Sequence, residues 1–182
     1  MSFHHIGKIF RNTKQCGPSR KISIYEAKNK GTDDLYEVII KGFEDNDAFL
    51  VKFDEKKNLT PYHSDGAHQK ACDAVIICLF KENPYIIFIE LKSSSINLDD
   101  IEKKFKSSWC FIDYSSSILK RFDDDNTINH TEKRFIVIRK PVPLGKLPTR
   151  HVFEDGKNNP SNPKIIPYEN KPVPISKLIN IL

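Results

Sequence analysis

A chain of 182 residues with 38% hydrophobic and 29% charged residues suits one compact domain with a sizeable core, not a fibrous or disordered polymer. Nothing approaches the length of a membrane-spanning apolar run, and the start MSFHHIGKIFRN is too polar for a secretory signal, so no membrane partner and a cytoplasmic location are expected. The net charge of +5 and the pI of about 8.9 permit a nucleic-acid partner without demanding one.

Residues 1–20 read as irregular, punctuated by Gly17-Pro18. Cys16, Cys72, Cys78 and Cys110 show no CxxC spacing, which argues against a zinc site and for a reducing compartment. KISIYEA and AFLVKFD alternate like strands, whereas LYEVIIKGF fits a strand or a short helix. Residues 54–70 are polar and turn-rich, hence a loop. His63 and His68 lie in it, and turn chemistry explains them better than a metal pair, since no helix aligns them.

ACDAVIICLF (71–80) and YIIFIELK (85–92) are predicted strands joined by KENP (81–84) as a hairpin. Asn97 then caps a helix with Asp99 and Asp100 in its first turn, where the helix dipole favours them. Leu98, Ile101, Phe105, Trp109, Ile112, Leu119 and Phe122 form its apolar stripe, which predicts core packing for Trp109 ahead of base stacking. DDDN (123–126) closes the helical region, and RFIVIRK (134–140) is a strand that the helix returns parallel to IIFIELK. Eight of the eleven prolines fall from Pro141 onward, so the tail is predicted to be mostly irregular, with PISKLINIL as a short helix or edge segment. The expected architecture is a single α/β domain over 1–182. Its mixed sheet is flanked by helices, with a core over about 20–140 and a proline-rich extension over 141–182.

IIFIELK ends in an acid and a base on one strand face. With KENP as a four-residue loop, Phe80 faces Tyr85, Asp73 lies opposite Lys92, and Glu90 is its diagonal neighbour. The three side chains then share one face at one end of the hairpin. Two carboxylates that close repel each other unless they share a cation, and oxygen ligands suit Mg²⁺ or Mn²⁺. A metal, an activated water and an ammonium are the requirements of phosphodiester hydrolysis. The plain alternative is a charged hairpin rim with one surface ion pair.

The stretch CDAVIICLFKENPYIIFIELKSSS resembles the core of the PD-(D/E)xK nuclease superfamily, the restriction-endonuclease-like fold, with Asp73 as the first acid and Glu90 and Lys92 as the ExK. Cys72 stands where the nominal proline of that pattern would be. The resemblance covers about residues 70–140 and implies an αβββαβ core and Mg²⁺- or Mn²⁺-dependent cleavage of nucleic acid, with endonuclease action on DNA in prokaryotic defence as its context. It places the metal on Asp73, Glu90 and the Leu91 carbonyl, and gives Lys92 the role of positioning water or stabilising the transition state. A further acid is expected from Glu37 or Glu26. Lys70, Ser93, Lys103, Lys104 and Lys106 are candidates for phosphate contact, against the ordinary reading of helix lysines as a solvated face. A homodimer or larger complex is expected where two strands are cut. The competing expectations are a catalytically inactive nucleic-acid-binding or scaffold subunit of the same fold, and an α/β interaction protein in which the motif is coincidental.

Overall fold

Isoleucine-rich strands without polar interruption need apolar cover on both faces, and the fold supplies two different kinds. The computed structural model describes residues 13–16, 19–26, 36–43, 48–52, 70–93, 95–140 and 158–180. Six strands form the main sheet: β1 (Thr13–Gln15), β4 (Ala48–Val51), β5 (Ala74–Phe80), β6 (Asn83–Lys92), β7 (Glu132–Arg139) and β8 (Lys164–Pro167), in that spatial order. The β6–β7 and β7–β8 pairs are parallel and the others antiparallel, so the sheet is mixed. β2 (Lys21–Tyr25), β3 (Glu37–Lys41) and β9 (Val173–Pro174) make a second, three-stranded sheet.

Helix α1 (Leu98–Phe122) connects β6 to β7 and covers one face of the main sheet. Ile101, Phe105, Ile112 and Leu119 of the helix join Val75, Ile77, Phe88, Phe135 and Val137 in one core. Phe88 and Phe135 stack at 4.9 Å between centroids, with Phe105 edge-on to Phe135 at 5.5 Å. The opposite face carries Ile76, Ile87, Ile89, Leu91 and Ile138. It packs against Ile24, Val38 and Ile40 of the small sheet and against Leu178 of helix α2 (Ile175–Ile179). The expected α/β class with a mixed sheet is therefore present, but a second sheet and a short helix cover the face where helices alone were anticipated. Among the described residues no helix is long and apolar enough to cross a membrane.

LYEVIIKGF resolves as strand β3, paired antiparallel with β2. Asn97 caps α1 as expected, its side chain accepting from the Asp100 N–H at 3.1 Å. The stripe ends sooner than its spacing predicts, because Phe122 is 82% exposed. The tail is more ordered than its prolines imply: residues 158–180 supply β8, β9 and α2. Both strands sit at a sheet edge, where a residue lacking an N–H is tolerated. Trp109 lies half-buried, tilted on Phe135, as its place on the stripe implies.

The hairpin register differs from the expected one. Phe80 pairs with Asn83, so only Lys81 and Glu82 form the turn, and both have positive φ (50° and 66°). That is the backbone of a two-residue hairpin turn whose twist matches the strands, here adopted without the usual Asn or Gly. The shift is two residues, an even number, so it leaves every side chain on its predicted face.

Candidate active site

The site is built where β5 begins and β6 ends. The Cys72 N–H donates to Ser108 Oγ of α1 at 3.0 Å, which ties the approach to β5 to the helix. One residue later the Asp73 carboxylate, through Oδ2, accepts the Leu91 N–H at 2.7 Å. Extending the Ala74–Ile89 pairing by one step sets Asp73 opposite Glu90 rather than opposite Lys92. Asp73, Glu90 and Lys92 still share the face toward α1, as the even shift requires.

Glu90 is only 1% exposed, an environment a carboxylate occupies only when paired. Its Oε1 receives two ammonium groups, Lys92 Nζ at 2.7 Å and Lys104 Nζ at 2.6 Å. Its Oε2 is buried and has no hydrogen-bond partner among the described residues. Burial and the charge of Glu90 push the Asp73 carboxyl up to about 7, against partial relief from the Leu91 N–H, Lys104 and Lys92. Burial by itself lowers the Lys104 ammonium, but the facing charges of Glu90, Asp73 and Asp100 outweigh it and hold the group above its usual value.

The other sequence candidates divide clearly. Leu91 buries its side chain in the opposite core, and its carbonyl leaves the strand on the same side as its N–H, toward Asp73. Glu26, just after β2, reaches the end of β6 by accepting the Ser93 N–H at 3.3 Å, while Glu37 accepts from the Tyr25 hydroxyl at 3.0 Å on the exposed hairpin. Of the two, Glu26 approaches the end of the motif strand. Lys70 pairs with Asp100 and Lys106 with Glu102 one helical turn away, while Lys103 is exposed. Lys104 is the exception on that helix face, because it turns inward to Glu90. Its position three residues after buried Ile101 and four before buried Ser108 puts it on the flank of the apolar stripe, and this spacing is readable in the sequence. His63 and His68 lie outside the described residues.

Arg139 was not among the sequence candidates. It is the direct partner of Lys92 across the parallel β6–β7 pair and therefore shares its face. Its Nε is buried with no hydrogen-bond partner among the described residues. The parity that puts Arg139 beside Lys92 depends on where β7 enters the sheet after a 25-residue helix, which spacing alone does not reveal.

Among the described residues no group of three or more His, Cys, Asp or Glu side chains converges. The site is thus a buried carboxylate and a half-buried one, two lysines drawn onto the first, and an arginine alongside. Comparison with family models, curated proteins and solved structures finds no match for this chain.

Proposed function

We propose that the protein is a Mg²⁺- or Mn²⁺-dependent nuclease of the PD-(D/E)xK type, an endonuclease acting on DNA in prokaryotic defence. The observation that carries this reading is the juxtaposition of Asp73 and Glu90, both packed into protein at a strand end, with Lys92 on the same carboxylate. The succession β4, β5, β6, α1, β7 supports the fold assignment, since it has the βββαβ order that the resemblance implies. The leading helix of that pattern has no counterpart among the described residues.

The donor set fits a hard divalent cation. Burial and the Glu90 charge hold the Asp73 carboxyl up at about 7 despite the nearby lysines, and Glu90 keeps a buried oxygen with no donor among the described residues. Asp73, Glu90 and the Leu91 carbonyl are the residues that would hold the ion. When bound, it supplies charge neutralisation at phosphate and a water of lowered pKa. The chain's own groups do the rest. Asp73 must release its proton to bind a cation, so occupancy of the site rises with pH through about 7. Lys92 sets its ammonium on Glu90 Oε1 beside the acid pair, where it can orient water and stabilise charge growing on a phosphate oxygen. Lys104 holds Glu90 from the helix side and fixes its rotamer. Ser93 and Lys70 stand at the rim, where phosphate contact is within their reach.

A catalytically inactive nucleic-acid-binding subunit is the second reading, and the observation favouring it is that the described residues bring only two carboxylates together. A cleavage assay separates the two. Supercoiled plasmid, linear duplex, single strand and RNA are incubated with Mg²⁺, Mn²⁺ or EDTA. The nuclease reading expects metal-dependent cutting that Lys92→Ala and Asp73→Asn each reduce at least about 100-fold. Folded wild-type protein that binds duplex yet cuts nothing with either metal points to the subunit reading.

A further inference from the structure

Among the described residues, a protein carboxylate engages the two lysines of the site but not Arg139. Lys92 and Lys104 both lie on Glu90 Oε1, whereas among the described residues no carboxylate pairs with the Arg139 guanidinium. The residue is half-buried, and its Nε is covered yet has no hydrogen-bond partner among the described residues. The β6–β7 register puts its Cα beside that of Lys92 on the α1 face, across one strand spacing of about 4.8 Å. A guanidinium presents its donors as a planar fork, which matches the oxygens of a carboxylate or a phosphate. The two site carboxylates meet other groups: Asp73 Oδ2 the Leu91 N–H, and Glu90 Oε1 the two lysines. Among the described residues no oxyanion is paired with Arg139, and one bound there would sit next to Lys92.

We infer that Arg139 is a phosphate-binding residue of this site. Its fork takes the non-bridging oxygens of a backbone phosphodiester and holds that phosphate against Lys92 and the carboxylate pair. This rests on the nuclease reading for the identity of the ligand, but not for the existence of the anion site. Lys92 alone is a single point of charge already shared with Glu90, so it cannot fix the orientation of a phosphate. Arg139, supplied by the strand that follows the helix, completes a two-point clamp.

The experiment uses the full chain in EDTA, where nothing is cut. Anisotropy of a fluorescein-labelled duplex and calorimetric titration with inorganic pyrophosphate are run on wild type, Arg139→Met and Arg139→Lys, each first shown by circular dichroism to be folded. The expected result is a loss of about tenfold or more in duplex affinity for Arg139→Met, with the salt slope shallower by about one unit, and an intermediate loss for Arg139→Lys, which keeps the charge without the fork. Pyrophosphate binding should weaken in parallel. Duplex bound equally by wild type and Arg139→Met would overturn the Arg139 assignment and leave the nuclease reading standing. Pyrophosphate binding that depends on Arg139, together with no affinity for any nucleic acid, would uphold the anion site and overturn the nuclease reading. Failure of wild type to bind either ligand would overturn both.

Discussion

Replacing Asp73 by Asn is expected to move stability and activity in opposite directions. The Asn carbonyl can still accept the Leu91 N–H, while the repulsion with Glu90 disappears. In EDTA at about pH 8 the variant should melt a few degrees above wild type, even as metal-dependent cleavage is lost; differential scanning calorimetry beside the plasmid assay checks both. The pH dependence has a definite sign. Folding raises the Asp73 carboxyl from its ordinary 3.8 to about 7, so the folded state holds the proton more tightly than the unfolded chain. Its contribution therefore makes stability fall as pH rises from about 4 to about 7 and levels off above that. Asp73→Asn should remove this slope from urea midpoints measured across the window. Glu90→Ala is a different kind of change, because it leaves two partly buried ammonium groups facing each other. Such a loss costs about 3 kcal/mol, readable as a drop in urea midpoint.

At the scale of elements, the tether between α1 and the start of β5 matters most. Ser108→Ala leaves the buried Cys72 N–H without its acceptor, an expected cost of about 1–3 kcal/mol, and it frees the segment that aims Asp73. Urea denaturation should show the first effect and a raised Mg²⁺ requirement for cleavage the second. The hairpin turn offers the opposite sign: Lys81→Asn with Glu82→Gly relieves two positive-φ residues and should stabilise by about 1–2 kcal/mol with cleavage unchanged. The same hairpin shows what was legible in the sequence. Period-2 alternation fixed the faces of Asp73, Glu90 and Lys92, and a two-residue error in register did not disturb them. The turn itself was not legible, since Lys-Glu is not a pair that favours positive φ, and KENP as a whole reads as the loop. Lys104 carried a signal in its spacing from Ile101 and Ser108. Arg139 carried none, because its face depends on a register set only when β7 docks. β8 and β9 were hidden for a related reason: proline marks a strand as peripheral, and edge strands are where these two lie.

For the whole molecule, the proposed cation requirement and the net charge act together. If Asp73 and Glu90 hold a divalent ion, Mg²⁺ should raise the melting temperature of the wild type more at about pH 8 than at about pH 6, because below about 7 the ion must compete with the Asp73 proton. Asp73→Asn should abolish that increment. With a net charge of +5, non-specific affinity for duplex should fall steeply between roughly 50 and 200 mM salt, as counterion release requires.

The order in which these groups come together also bears on how the chain acquires its structure. Asp73 and Glu90 belong to strands separated by a two-residue turn, so they meet as soon as that hairpin zips up. Lys104 reaches Glu90 only once α1 has docked, and Arg139 only once β7 has returned. An early folding nucleus built on the hairpin would therefore bring the two acids together with Lys92 alone, before Lys104 joins them. Stopped-flow refolding in EDTA at about pH 8 should accordingly be faster for Asp73→Asn than for the wild type, because the variant lacks the repulsion between the paired acids.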